Sequence, residues 1–142
     1  MEKEYKLAEQ YHLQGNNCIE SVLKTCNDTM NLQLPDVAIR MASGMGGCIG
    51  RSGCVCGALS GACLVIGALV GRLIPDEKPL PEVYKYTSEF HDRFKEHFGA
   101  TCCRALNTLS FGTPEYRKHC IKITATAADM VSDFVAEKGL LK

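Results

Sequence analysis

The chain has 142 residues, which fits one compact domain and leaves little room for a second. Its 16 basic and 16 acidic side chains balance, so it lacks the basic excess that a nucleic-acid partner requires. Hydrophobic residues make up 46% and charged residues 23%, a composition typical of a folded globular protein and not of a disordered one.

Three helices are predicted in the first third of the chain. Gly15 ends the first, because glycine readily adopts the left-handed conformation found at helix C-termini. Asn16 and Asn17 can cap the second, and Pro35 suits the start of the third. These predicted helices cover residues 3–14, roughly 18–26 and roughly 35–42.

Residues 43–53 form a glycine-rich segment, Ser-Gly-Met-Gly-Gly-Cys-Ile-Gly-Arg-Ser-Gly. It is not a phosphate-binding Walker A loop, because no Gly-Lys-Ser or Gly-Lys-Thr closes it, and its glycine spacing does not fit a dinucleotide-binding fingerprint. We expect a tight backbone turn beside another part of the molecule, which glycine permits.

Residues 54–73 are the most apolar part of the chain, with no charged side chain between Arg51 and Arg72. Their length would suffice to span a membrane. However, the segment contains four glycines and three cysteines, and no aromatic residues mark its ends. We therefore predict a buried central helix and no membrane insertion.

Three more helices are predicted after a linker over residues 75–81. Gly99 ends the first, Thr101 can cap the second, and Pro114 suits the start of the last. They cover residues 80–98, a short stretch from Cys102, and roughly 115–138. No strand-like alternation of useful length occurs. The predicted fold is a single-domain, all-α helical bundle over residues 1–142, built around the apolar helix.

Nine cysteines are the unusual feature of the composition. The number is odd, so at least one thiol has no partner within the chain. The charged N-terminus leads into no apolar stretch, which argues against a signal peptide and favours the reducing cytoplasm. Cysteines in that compartment serve in catalysis, redox chemistry or metal binding more often than as structural disulfides. We expect roughly half of them to be buried packing residues.

Several cysteines fall in the first turn of a predicted helix. They are Cys18, Cys56 and the adjacent pair Cys102 and Cys103. Backbone N–H groups and the helix dipole stabilise a thiolate there and lower its pKa, and the thiolate is the form that attacks a disulfide or binds a metal. Cys120 lies instead inside the last helix, on its inward face, where it could resolve a mixed disulfide or act as a fourth metal ligand.

The familiar cysteine motifs are absent. No Cys-x-x-Cys occurs, which excludes the thioredoxin, ferredoxin and c-type haem signatures. Cys26 and Cys63 are predicted to be core residues, and Arg104, beside Cys103, a solvated surface residue. No spacing assigns a catalytic or ligand role to any of the four histidines, His12, His91, His97 and His119.

Four short elements of the chain occur in an informative order. They are Asn-Cys at residues 17–18, Cys-Gly-Ala-Leu-Ser-Gly at 56–61, Phe-Gly-Ala-Thr-Cys-Cys-Arg at 98–104, and Cys120 in the last helix. This set, spread over nearly the whole chain, resembles the C_GCAxxG_C_C family of redox-active proteins. The second element is similar to that family's Cys-Gly-Ala-x-x-Gly core, and the third to its Phe-Gly-x-x-x-Cys-x-x-Leu segment.

The resemblance implies a redox role and a functional set of four cysteines: Cys18, Cys56, Cys103 and Cys120. Five further cysteines lie outside this set. Cys54 and Cys102 each stand beside one of its members, which leaves open which cysteine of each pair reacts. The other three are Cys26, Cys48 and Cys63.

Three functions remain open. In the first, the chain is a thiol–disulfide redox protein, either an oxidoreductase or an electron carrier. Cys56 attacks an oxidised redox partner protein, and Cys18, Cys103 or Cys120 resolves the mixed disulfide. In the second, these four cysteines form a cage for a metal or an iron–sulfur cluster. In the third, the chain is a non-redox helical interaction module, such as a homodimer, with its cysteines packed away.

Overall fold

A computed structural model describes residues 2–141, which are all-α as predicted and contain no β-strand. Six of their helices have eight residues or more. In chain order the helices are α1 (Glu2–Leu13), α2 (Cys18–Met30), α3 (Asp36–Ser43), α4 (Gly46–Arg51), α5 (Gly57–Val70), α6 (Leu80–Phe98), α7 (Cys103–Leu106) and α8 (Pro114–Glu137). A 3₁₀ turn at Pro75–Glu77 precedes α6.

Helix α5 is the central helix, as its uninterrupted apolar sequence predicts. It packs against α2, α4, α6 and α8. Gly61 lets α5 approach α2 closely, because a Cβ at this position would lie 3.2 Å from side-chain atoms of both Ile19 and Val22. No helix within residues 2–141 combines the length and the apolar character needed to cross a membrane.

The helices of the C-terminal half begin and end close to the predicted positions. Gly99 ends α6 with a left-handed φ of 85°, and the Thr113 side chain caps α8. The predicted start of α7 is wrong by one residue, since Cys102 and not Thr101 precedes its first helical residue. The Thr101 carbonyl instead accepts a hydrogen bond from the N–H of Cys56, which ties the start of α7 to the start of α5.

The glycine-rich segment forms the tight turn that its composition predicts. Residues 47–51 all have left-handed backbone angles, with φ between 54° and 71°. Each non-glycine residue in this conformation costs about 1–2 kcal/mol, so the surrounding packing must hold it. A Cβ on Gly46 would overlap the Asn17 side chain. Helix α4 therefore lies directly against the start of α2.

Candidate functional site

One cleft, with a volume of about 960 Å³, gathers the four cysteines that the family resemblance implied. It lies where the N-terminal ends of α2, α5 and α8 meet, and residues of α4 and α7 complete its wall. The cysteines that line it are Cys18, Cys56, Cys103 and Cys120.

Cys18 is the first residue of α2 and is fixed by the cap before it. The Asn17 Oδ1 accepts the Glu20 N–H at 2.9 Å, and the Glu20 Oε1 accepts the Asn17 N–H at 2.9 Å. This reciprocal capping box satisfies two N–H groups that a helix start leaves without partners. Asn17 Nδ2 also donates to the Ser43 carbonyl at 3.0 Å, so the cap joins Cys18 to the end of α3.

The Cys18 sulfur lies among backbone amides. The pKa of the Cys18 thiol is raised, contrary to the expectation from its helix position, because burial outweighs the lowering by hydrogen bonds from the backbone N–H groups of Gly47, Ile19 and Gly57. The side chain is 4% exposed. A Cβ on Gly57 would overlap the Cys18 sulfur, so only glycine at this position permits the observed approach of α2 to α5.

Cys56 precedes the first residue of α5, and its N–H donates to the Thr101 carbonyl at 2.8 Å. Burial, and then the charge of a Cys18 thiolate, raise the pKa of the Cys56 thiol to about 11, against the lowering by the amides of Ala58 and Leu59. The expected low pKa at this helix start is therefore wrong. Desolvation of a sulfur that is 4% exposed outweighs the amides of the helix N-terminus.

Cys120 lies in the second turn of α8 and is half-buried. Its Sγ is 3.8 Å from the His12 Nε2. Burial, and the charges of Cys18 and Cys56 thiolates, raise the pKa of the Cys120 thiol to about 12. A charge on one of these sulfurs thus raises the pKa of its neighbours. We therefore treat Cys18, Cys56 and Cys120 as one electrostatic group and call it the thiol cluster.

The fourth cysteine of the cleft, Cys103, forms a disulfide with Cys48, and Cys54 forms a second disulfide with Cys102. The Cα separations are 5.9 Å and 4.2 Å respectively. The adjacent cysteines 102 and 103 are thus bonded to different partners and not to each other. Together the two bonds join residues 48–54 to α7, and we call this pair of segments the braced wall.

The remaining cysteines lie outside the cleft. Cys26 is fully buried in the core and Cys63 packs against the core, as predicted for both. Across residues 2–141 no group of three or more His, Cys, Asp or Glu side chains is arranged to hold a metal. The four-cysteine cage is not formed in this structure, in which Cys103 is bonded to Cys48.

Sequence reasoning missed several cleft residues, of which His12 is the most informative. It is 8% exposed, and burial, followed by the charge of Arg117, lowers its pKa, so the imidazole beside Cys120 is neutral at neutral pH. The one signal in the sequence is that His12 follows Ala8 by four residues, on the buried face of α1. Arg104, by contrast, is exposed as predicted and does not line the cleft.

A family described as "Putative redox-active protein (C_GCAxxG_C_C)" matches residues 16–134. The chain belongs to this family. It is also similar to an uncharacterised protein from Archaeoglobus fulgidus, 26% identical over 122 residues, which covers 80% of this chain and 81% of the relative. No solved structure matches the chain. The resemblance drawn from the four short elements is confirmed.

The Cys-Gly-Ala-x-x-Gly core of the family has a physical reason in this fold. Cys56 supplies a thiol to the cleft, Gly57 leaves room for the Cys18 sulfur, and Gly61 leaves room for the aliphatic side chains of α2. The glycines of this core therefore serve the close approach of α2 and α5 that brings two thiols into one site.

Proposed function

We propose that the protein is a thiol–disulfide redox protein whose working pair is Cys18 and Cys56. One observation carries this proposal. The Cys18 sulfur packs against Gly57, the residue that follows Cys56, in a cleft that both cysteines line. Both are free thiols, and a charge on Cys18 raises the pKa of Cys56. Two adjacent free thiols in a cleft are the arrangement that thiol–disulfide exchange requires.

Cys18 is the better candidate for the attacking thiolate. Its sulfur receives backbone N–H groups from three segments, through Gly47, Ile19 and Gly57, and such a concave set of amides stabilises a negative charge. Cys56, the attacking thiol predicted from the sequence, has a pKa of about 11 and suits the resolving role instead.

The proposed reaction moves two electrons. The Cys18 thiolate attacks one sulfur of a disulfide, forms a mixed disulfide and releases one thiolate. Cys56 then loses its proton, attacks the Cys18 sulfur and releases the second thiolate as the Cys18–Cys56 disulfide forms. The two protons of the protein thiols pass to the two released thiolates. A dithiol of a redox partner protein, on a segment that enters the cleft, returns the pair to the reduced state by the reverse exchange.

In this proposal the braced wall has a structural role, which is to hold one side of the cleft in place. Cys48–Cys103 and Cys54–Cys102 hold two irregular segments together at the side of the cleft. Five of the nine cysteines are free, which favours a reducing compartment, and we propose the cytoplasm. There the two disulfides would themselves be open to exchange.

Single substitutions separate the attacking from the resolving thiol. Protein with its two disulfides intact and its other five cysteines reduced is mixed with a small disulfide, and the released thiol and the protein mass are measured. We expect Cys18→Ser to abolish thiol release. Cys56→Ser should release one thiol per protein and keep the other half of the disulfide on Cys18. Cys26→Ala and Cys63→Ser, which change cysteines outside the cleft, are the matched controls and should react like the wild type.

Two results would contradict the proposal. The first is a Cys18→Ser variant that reacts at the wild-type rate. The second is a visible absorption band, in protein purified without oxygen, that bleaches with dithionite, since such a band reports sulfur bound to a metal or an iron–sulfur cluster and not a thiol pair.

A further inference from the structure

The charges of the cleft indicate what it binds. Three cations line it, Arg51, Arg117 and Lys118, and no aspartate or glutamate of residues 2–141 does so. Over the whole chain acidic and basic side chains are equal in number, 16 of each, so this is a local excess of positive charge. The ion pairs of the described residues involve other cations: Lys6, His91, Arg93 and Lys138.

Both arginines are held by contacts that leave their charge uncompensated. Arg117 Nη2 donates hydrogen bonds to the carbonyl oxygens of His12 and Leu13, at 3.2 and 3.4 Å. The Arg51 guanidinium lies over the Phe111 ring, 4.3 Å from its centroid. Carbonyl and ring contacts orient a guanidinium, but neither supplies the full negative charge of a carboxylate.

Three helices add to this positive potential. α2, α5 and α8 contain 13, 14 and 24 residues, and the residues Cys18, Cys56 and Pro114, at or directly before their first turns, line the cleft. Each helix N-terminus carries a partial positive charge of about half an elementary charge. Cations and helix dipoles therefore act in the same direction on a bound anion.

A buried polar atom of the cleft lacks a partner. His12 lines the cleft and is 8% exposed, and its Nδ1 makes no hydrogen bond. Such atoms are rare in folded proteins, because burying a polar group without a hydrogen bond is costly. A polar group of a bound ligand would satisfy this nitrogen.

Size and burial favour a small molecule. The volume of about 960 Å³ is that of a site for a ligand the size of a short peptide. Cys18 and Cys56 are each 4% exposed, so a disulfide on the surface of a folded protein does not reach their sulfurs unless the cleft opens. A small disulfide can enter it.

We propose that the substrate of the thiol pair is a small disulfide that carries carboxylates and has a net negative charge. This inference rests on the proposed function and names its substrate class. The carboxylates bind the guanidinium groups of Arg51 and Arg117, which match their planar geometry. The disulfide accepts the two electrons of Cys18 and Cys56 and leaves as two anionic thiols, as in the exchange described above.

Three disulfides of different charge test the proposal. Wild-type protein is mixed separately with oxidised glutathione, which is anionic, with hydroxyethyl disulfide, which is neutral, and with cystamine, which is cationic. Each rate is divided by the rate of free dithiothreitol with the same disulfide, so that intrinsic reactivity cancels. We expect the normalised rate for oxidised glutathione to exceed that for cystamine by at least about tenfold, and added salt to reduce the difference.

Charge variants locate the origin of this preference. The double variant Arg51→Gln/Arg117→Gln should lose most of this preference, measured as the ratio of its normalised rates with oxidised glutathione and cystamine. Arg117→Lys, which keeps the charge, should retain it even if the glutamine variant proves unstable. Arg40→Gln is the matched control, since Arg40 is exposed on α3 and does not line the cleft.

The outcomes separate this inference from the proposed function. Equal normalised rates for the three disulfides, or a preference that survives in the double glutamine variant, would overturn the anionic substrate and leave the thiol pair standing. Failure of all three disulfides to oxidise Cys18 and Cys56, with the two wall disulfides intact, would contradict the thiol–disulfide function itself.

Discussion

Cys54 and Cys56 are separated by a single residue, yet they belong to two different regions of the molecule. Cys54 is exposed and forms a disulfide in the braced wall, whereas Cys56 is 4% exposed and free in the thiol cluster. Cys102 and Cys103 are both bonded into the wall, while Cys18 and Cys120 stay free on long helices. Cysteines only a few residues apart in the chain are thus disulfide-bonded in one region and free in the other.

Backbone order explains the difference between these regions. The free thiols lie on or beside the long helices α2, α5 and α8, which backbone hydrogen bonds and core packing already hold. The disulfides join residues 48–54 to the four-residue helix α7, where regular hydrogen bonding is sparse. Covalent bonds therefore occur where the backbone needs support, and thiols remain where packing is sufficient. The predictions below test this division.

The largest expected effect is on the braced wall. The disulfides close nested loops with sequence separations of 55 and 48 residues, and either loop alone accounts for about 4 kcal/mol of chain-entropy stabilisation. Because their ends are close in sequence, each bond supplies part of the constraint that the other supplies. With one bond kept, the other closes a loop of only about eight residues, which is worth about 2.5 kcal/mol. Cys48→Ala/Cys103→Ala and Cys54→Ala/Cys102→Ala should therefore each cost about 2.5 kcal/mol, and the quadruple variant about 6–7 kcal/mol, more than the sum of the two.

Urea unfolding at mildly acid pH, where thiol–disulfide exchange is slow, measures these free energies. The test compares the quadruple variant with the sum of the two double variants. Each alanine occurs once on both sides of this comparison, so the effects of the cavities that it leaves largely cancel. If the losses in free energy of unfolding of the two double variants sum to the loss in the quadruple variant, the two bonds act independently. The idea that they constrain one unit would then be wrong.

A smaller effect on stability is expected from a change at the contact between α5 and the Cys18 sulfur of α2. Gly57→Ala forces a methyl group against the Cys18 sulfur and should lower the free energy of unfolding by about 1–3 kcal/mol. It should also separate the two thiols and slow their exchange with disulfides. Unfolding in urea and thiol release measure the two effects.

Gly67→Ala is the matched control within the same helix. A Cβ at Gly67 meets no atom within 4 Å, so the only change is the better helix propensity of alanine. This variant should gain about 0.5–1 kcal/mol of stability and exchange like the wild type. Equal behaviour of the two variants would show that the contact of Gly57 with Cys18 is unimportant.

The smallest effect concerns pH. Burial raises the pKa of Cys56 to about 11 and that of Cys120 to about 12. Both thiols are mostly protonated below these values, and the small reactive thiolate fraction grows as pH rises. Alkylation of each, followed by peptide mapping, should therefore accelerate about tenfold per pH unit from neutral pH to about pH 10 without a plateau.

The same protein in denaturant provides the comparison for this titration, because its exposed thiols should level off above their ordinary pKa of about 8.5. A plateau near neutral pH in the folded protein would restore the low-pKa thiolate that the helix positions suggested. It would also show that burial does not set the pKa values of these two thiols.

The sequence predicted much of the fold and part of the site. Glycine, proline and asparagine placed the ends of most helices, and the apolar run over residues 54–73 identified the central helix. These features depend on residues close together in the chain. The cap at Asn17 even fixed the position of Cys18 within its helix.

The rest depended on contacts between distant segments. Helix position suggested a lowered pKa for Cys56, but burial decides its direction, and burial is set by the packing of α5 against other helices. The bonds of Cys48 and Cys54 depend on the left-handed turn before them, which glycine content permits without specifying a partner. His12 reaches Cys120 from a helix more than a hundred residues earlier.

The most direct test of the central claim is to start from protein whose two braced-wall disulfides are intact and whose other five cysteines are reduced, and to map the disulfides that form when one equivalent of a small disulfide oxidises it without oxygen. The account predicts a Cys18–Cys56 crosslink that consumes one oxidant per protein, with Cys26 and Cys63 remaining free. Recovery of Cys18 and Cys56 as free thiols, with the oxidising equivalents found only on other cysteines, would contradict it.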